Sequence, residues 1–336
     1  MRTIVTINNQ KLQIQFLAWS FFVFLILYLI SAFRPFDVGT DTMTYVQGYI
    51  NPRTSVQSRN IGYNALITFL RYFSDDPRFF LIIISLVTQL LIYISIVKFT
   101  KYPLFGILMY ALVFYCLSLN ILRQFIITAL FYQFGVTYIL KKNLPAYCVL
   151  ITILFTIHEL SIILLPLYFL SRKFLSPVYY LGLWLASAAF LFLNQVNSLF
   201  GLFKQADTFL RIYMANLPNY FSEVEKLSNS EVSLNGVILD QIIFATIFYL
   251  IFYSNKIKVT PTVIVFFNIF FAGIILQNLF FFIQIIQRVS IILIFANIYL
   301  ASITFYKLYY RIAYLVIFCL LFYVRFVLNG ISGVFH

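Results

Sequence analysis

Charge is scarce in this sequence: Asp, Glu, Lys and Arg make up 10% of its 336 residues, against about 25% in an ordinary soluble domain. Apolar residues take 62% and aromatics 20%, so the chain cannot cover itself with polar surface and reads as an integral membrane protein. Cysteine is nearly absent. Cys116, Cys148 and Cys319 all fall inside apolar runs without metal-ligand spacing, which makes them packing residues and implies no redox or zinc chemistry. Histidine is rarer still. Apart from the terminal His336 there is only His158, and the His158-Glu159 pair lacks the second His that a zinc peptidase helix needs. No Walker-type or dinucleotide glycine loop occurs, which argues against ATP- or NAD-driven work, and no cofactor is expected. The first apolar run, Phe16 to Phe33, suits a bilayer span and is not followed by a small-residue cleavage site, so it is expected to be retained.

What is present in quantity is long apolar stretches. Runs of bilayer length predict about eleven spans, near 14–33, 79–98, 103–119, 122–140, 144–158, 159–171, 177–195, 237–255, 261–283, 288–306 and 311–329. The fold class expected is therefore all-α, a polytopic single membrane domain over 1–336. The pair around His158 is the weakest, because two shortened runs meet without a polar loop, and a broken or re-entrant element is the alternative. The formal charge of +13 is first a matter of topology. Arg2 and Lys11, Lys98 and Lys101, Lys141 and Lys142, Arg172 and Lys173, Lys256 and Lys258, and Lys307 and Arg311 fall at alternate span ends. Those ends are expected to be cytoplasmic, with the N-terminus inside and the C-terminus outside, and no nucleic-acid partner is needed to explain the charge.

The other side is expected to hold Arg34, Arg53, Arg59, Arg71, Arg78, Arg123, Arg211, Arg288 and Arg325, against only Lys204 and Lys226. An outward arginine excess opposes the topology bias. Arginine's planar fork of donors suits bidentate contact with carboxylate or phosphate, which lysine satisfies less well. Two outer segments, about 34–78 and 194–236, are long enough to build a site. Within them, Ile61 to Phe73 and Leu199 to Leu217 read as interfacial helices, and Ser222 to Ser233 as a mobile loop.

Four constellations stand out. "DVGTDTMTY" (Asp37 to Tyr45) sets Thr40, Asp41 and Tyr45 just past the first span, with Arg34 beside them. Asp41 is either a helix cap or a carboxylate that pairs with an outer arginine or takes a proton from a substrate hydroxyl. Arg123 opens a span in "NILRQFIITALF", where an ionisable group must be paired, face a cavity or snorkel. Arg288 shares a polar stripe with Gln277, Gln284 and Gln287. His158 and Glu159 meet between two apolar runs, where His158 is either structural or a base or leaving-group contact.

With these residues in place, the chain resembles the EpsG-like family of Wzy-type polysaccharide polymerases. The likeness rests on Gly39, Thr40, Asp41 and Tyr45 after the first span, on Gly62 and Tyr63, on Arg123 and Gln124, on "IHELS" (Ile157 to Ser161), and on Arg288. Where the family often carries an acidic residue before its Gly-Tyr pair, this sequence has Ser58 to Asn60, and the serine after the histidine stands one place late. The resemblance implies an enzyme of the bacterial inner (plasma) membrane, making O-antigen, capsule or exopolysaccharide. Such an enzyme moves a growing glycan from one polyprenyl diphosphate carrier, of the undecaprenyl type, to a fresh lipid-linked repeat unit at the outer face. Its partners would be the lipid-linked donor and acceptor, membrane lipid, and a chain-length regulator and flippase. Arg34, Arg59, Arg123, Arg288 and Tyr45 would bind substrate and diphosphate, and His158, Asp41 or Glu159 would supply the base. The rival readings are a lipid-linked oligosaccharide flippase, which should show charges deep in several spans and pseudo-symmetric halves, and another lipid-donor glycosyltransferase or ligase.

Overall fold

The computed structural model describes residues 2–39, 41–51, 60–192, 235–253, 257–280, 284–304 and 308–323, with side chains at 14–39, 41–51, 60–191, 237–253, 257–280, 287–302 and 312–323. Among them there are helices and turns and no strand. Arg53, Arg59, Thr40, Ser58, the expected interfacial helix at 199–217 and the loop at 222–233 lie outside the described residues.

Among the described residues, three helices are long and apolar enough to cross a membrane: the Ile14–Phe33 part of α1 (Arg2–Phe33), α4 (Pro77–Phe99) and α13 (Pro261–Leu279). The other described apolar stretches form shorter helices. These include α5 (Pro103–Val113), α6 (Tyr115–Asn120), α7 (Leu122–Leu130), α8 (Val136–Leu140), α9 (Leu144–Ile157), α10 (Leu167–Leu170), α11 (Pro177–Phe192) and α12 (Asn235–Phe252). After α13 come α14 (Gln284–Ile294), α15 (Asn297–Thr304) and α16 (Leu308–Phe322). Two small helices, α2 (Thr42–Ile50) and α3 (Ile61–Arg71), stand between α1 and α4, so the short amphipathic stretch at 61–73 is a helix, as its length suggests.

Helix starts are written locally. Asp76 accepts from the Arg78 backbone N–H at 2.8 Å ahead of Pro77, and Asn143 accepts from the Ala146 N–H at 3.1 Å. Thr260 accepts from the Val263 N–H at 3.3 Å ahead of Pro261. Each fills an orphan donor of the first turn, while the proline gives up an N–H that had no partner there. Helix breaks are not written that way. The apolar run 103–140 turns aside at Phe114 and Ile121, then loosens into a π segment over Phe131–Gly135. The run 288–306 is interrupted between Ile294 and Asn297.

Such irregular backbone is tolerated at membrane depth when protein surrounds it. It does here: Tyr132 in the π segment stacks on Tyr299 at 5.1 Å, and Tyr299 on Phe266 at 4.5 Å. The Tyr132 hydroxyl donates to the Ile292 carbonyl at 2.9 Å, and those of Ser95 and Tyr299 meet at 2.6 Å. In a bilayer, where apolar burial between helices gains little, this close packing and these hydrogen bonds join α4, the π segment, α13, α14 and α15.

The segment around His158 is a hairpin. His158 has extended backbone (φ −157°, ψ 122°), and a 3-10 turn, Glu159–Leu164, then runs back along α9. The Tyr147 hydroxyl, near the start of α9, donates to the Leu164 carbonyl, and the Tyr147 and Tyr168 rings lie 5.3 Å apart. The far leg ends against Asn268 of α13, whose Nδ2 donates to the Ser171 and Lys173 carbonyls at 2.9 and 2.6 Å. The expected spans 144–158 and 159–171 are thus two legs of one folded-back element with His158 at its tip.

Candidate active site

At the end of the bundle away from Lys98, Lys141 and Lys142, five of the expected residues come together. The path to them begins at Gly39, whose φ of +93° an L side chain rarely adopts and which lets the chain turn sharply toward the Leu119 carbonyl. Asp41 then precedes α2, but its side chain makes no capping hydrogen bond. Its backbone N–H is received by Asn120 Oδ1 at 2.9 Å, which leaves the carboxylate free to turn toward Arg288. The ion pair between Asp41 Oδ2 and an Arg288 terminal nitrogen is 3.8 Å long, with the two side chains 30% and 41% exposed. At that length and exposure it is a loose pair, open to exchange for another anion.

Arg123 stands at the first turn of α7 over two tyrosines. Its guanidinium carbon is 5.7 Å from the centre of the Tyr45 ring and 5.4 Å from that of Tyr63, within cation-π range. The two rings meet edge-on at 6.2 Å, and both are buried. Burial raises the Tyr45 phenol pKa against the pull of Arg123, so it remains protonated and can donate. Arg123 Nε and the Tyr63 hydroxyl are buried without a hydrogen-bond partner among the described residues. Tyr63 owes its place to its neighbour: a Cβ on Gly62 would fall 2.1 Å from Thr156 Oγ1 and 3.0 Å from the Thr156 backbone carbon, so only glycine lets α3 approach α9 this closely.

His158 reaches the same cluster from the hairpin tip, outside the long membrane-crossing helices. Burial, with Arg123 and then Arg288 adding repulsion, lowers its imidazole pKa to about 4, so it is neutral at physiological pH. Its Nδ1 accepts the Leu160 backbone N–H at 3.3 Å.

Two expected residues have other surroundings. Arg34 is only 4% exposed, and its guanidinium donates to the Ser31 carbonyl at 2.9 Å and the Leu119 carbonyl at 3.1 Å, with Thr42 Oγ1 at 3.4 Å. It brackets the Gly39 turn from beneath, an internal role and not that of an arginine facing a ligand. Glu159 follows His158 directly but is exposed and enters no ion pair among the described residues. Arg78 likewise works inward: it donates to the Ala32 and Arg34 carbonyls at 3.3 and 2.5 Å and lies 4.2 Å over the Phe36 ring.

Sequence reasoning missed two features. Asn120, which receives the Asp41 N–H, carries no local signal beyond preceding the Arg123 span. A second polar network, inside the bundle, joins α11, α12 and α13. Gln277 Nε2 donates to Asp240 Oδ2 at 3.1 Å, and Trp184 Nε1 to Gln241 Oε1 at 2.6 Å. Gln241 Nε2 donates to Asn278 Oδ1 at 2.9 Å, and Asn278 Nδ2 to Ser187 Oγ at 3.0 Å. Asp240, a carboxylate in an apolar helix and 0% exposed, was its available clue. No group of three or more His, Cys, Asp or Glu residues placed to hold a metal occurs among the described residues.

The class these observations define is an all-helical membrane protein with a cationic, carboxylate-bearing site at one end of its bundle. A comparison with protein families matches residues 17–334 to the EpsG family. The chain belongs to that family, whose members are Wzy-like polysaccharide polymerases. No curated protein and no solved structure matches it.

Proposed function

We propose that the protein joins polyprenyl-diphosphate-linked oligosaccharide repeat units at the outer face of the bacterial plasma membrane. In this reading Arg123 and Arg288 hold the diphosphate, Asp41 faces the acceptor hydroxyl, and the Tyr45 and Tyr63 pair carries Arg123. The observation that supports it best is the gathering of Arg123, Arg288, His158 and Asp41, drawn from four separate parts of the chain, at one end of a largely apolar bundle.

The chemistry asked of such a site is glycosyl transfer without a nucleotide. A sugar hydroxyl attacks the anomeric carbon, the bond to the diphosphate breaks, and negative charge grows on the departing phosphate oxygen. Guanidinium groups fixed beforehand where that charge develops are the kind of device that accelerates such a step, because they need no reorganisation as it proceeds. The loose Asp41–Arg288 pair fits this use, since an entering diphosphate can displace the carboxylate from Arg288 and free it to accept a proton.

The test is reconstitution of the full-length protein in liposomes with lipid-linked repeat units, read as a ladder of polymer lengths on a gel. A ladder from the wild type that disappears in Arg123→Ala, with the folded protein recovered in equal amount, supports the reading. Transport of intact repeat units across the bilayer with no new bond would replace it with the flippase.

A further inference from the structure

His158, Asp41 and Glu159 all qualify as the base by residue type alone. Their surroundings separate them. A neutral imidazole has one lone pair for accepting a proton and one N–H for donating. At the hairpin tip the lone pair is already engaged, because Nδ1 receives the Leu160 N–H at 3.3 Å as the 3-10 turn begins. The proton must then sit on Nε2, which leaves the free side of the ring as a donor.

The neighbours agree. Arg123 from α7 and Arg288 from α14 both act on this ring, and both are donors only. Behind Arg123 stand the Tyr45 and Tyr63 phenols, and opposite Arg288 stands Asp41. Glu159, next in the chain, is exposed. A buried ring repelled by two guanidiniums gains little by taking up a further proton, whereas its N–H adds a third donor to theirs. Three donor groups face only one loosely held carboxylate, Asp41, so the cluster keeps donors to spare for an anion.

Resting on the polymerase reading above, we propose that His158 is not the base but a neutral donor, presenting Nε2–H to the leaving diphosphate, and that Asp41 takes the proton. As the acceptor oxygen bonds to the anomeric carbon, its proton passes to the Asp41 carboxylate. The electron pair of the breaking carbon–oxygen bond stays on the phosphate oxygen, where Arg123, Arg288 and the His158 N–H receive the added charge. Nothing is oxidised or reduced, and no further reactant is needed.

Two experiments on the full chain test this. In reconstituted polymerisation, His158→Ala should slow turnover about 100-fold, the scale for removing one donor to a developing oxyanion. His158→Gln, whose amide N–H sits near the place of Nε2–H but cannot act as a base, should remain within about tenfold of wild type. Equal loss in Gln and Ala variants, or no loss in Ala, overturns the donor role. The second experiment needs no activity: ¹⁵N spectra of the histidine-labelled protein, with His336→Ala to isolate the one remaining signal, should show a protonated Nε2 and a bare Nδ1. The opposite tautomer overturns the inference even if polymer is made. If the wild type makes no polymer while the spectrum shows protonated Nε2, the polymerase reading and the diphosphate role fall and the tautomer assignment stands.

Discussion

The hairpin of α13 and α14 carries polar groups on both legs, and their fates differ. Near the end of α13, Gln277 and Asn278 enter a sealed network in which Asp240 and Gln241 of α12 and Trp184 and Ser187 of α11 all find partners inside the protein. One turn into α14, Arg288 meets Asp41 only loosely and remains 41% exposed. Both sets are costly in an apolar setting. The sealed set recovers most of that cost as hydrogen bonds between helices, although Gln277 Oε1 is buried without a partner among the described residues, whereas the open set leaves an exposed charge loosely matched, as the proposed diphosphate site requires. A polar residue in a membrane helix is therefore informative less by its type than by whether its partners are already present.

That contrast can be broken by substitution, and the open set should give the larger effects on chemistry. Asp41→Asn should reduce polymer formation by about 10²- to 10⁴-fold, the range for losing a general base, while the thermal midpoint in detergent holds. Arg123→Ala should cost about 10²- to 10³-fold in the same assay, and Arg123→Lys should recover only part of it, because a point charge cannot replace a planar fork. The sealed set should respond the other way round. Gln241→Ala strips partners from both Trp184 and Asn278 and should destabilise the fold by about 1–2 kcal/mol, read as a lower midpoint, with turnover per folded molecule unchanged.

Acid offers a subtler test. An unfolded histidine titrates near 6.5, whereas burial, with Arg123 and Arg288 adding repulsion, pushes His158 down to about 4. Between those values the unfolded chain binds a proton that the folded one does not, so stability falls as pH drops from about 6.5 to about 4 and levels off below. His158→Gln should remove that part of the slope, which melting curves across the window would show. The smallest effect belongs to Glu159→Gln. With Glu159 exposed and unpaired among the described residues, polymer yield should stay within about twofold, and a larger loss would reinstate it as a base.

Much of the helical plan could be read from the sequence, since apolar runs and capping signals are local. The ends of α4, α9 and α13 follow from Asp76, Asn143 and Thr260 with their prolines. The breaks at Phe114, Ile121 and between Ile294 and Asn297 could not, because no proline or glycine marks them and only packing from elsewhere explains them. Arg123, Arg288, Tyr45 and Asp41 were legible as ionisable or polar groups where few belong. Arg34 looked the same but faces inward, a distinction set by the Leu119 carbonyl 85 positions away. His158 and Glu159 looked like a pair, yet at a hairpin tip successive side chains leave an extended backbone on opposite sides, so adjacency in sequence separates them.

The hairpin at His158 also sets how freely this part of the gene can change length. No loop joins its legs, and both are anchored at the far end, one by Tyr147 on Leu164 and the other by Asn268 on Ser171 and Lys173. One residue added to α9 would turn everything beyond it by about 100° and advance it by about 1.5 Å, carrying the imidazole away from Arg123. In this reading frame, then, the distance from Asn143 to Ser171 is as much a functional element as the histidine it delivers.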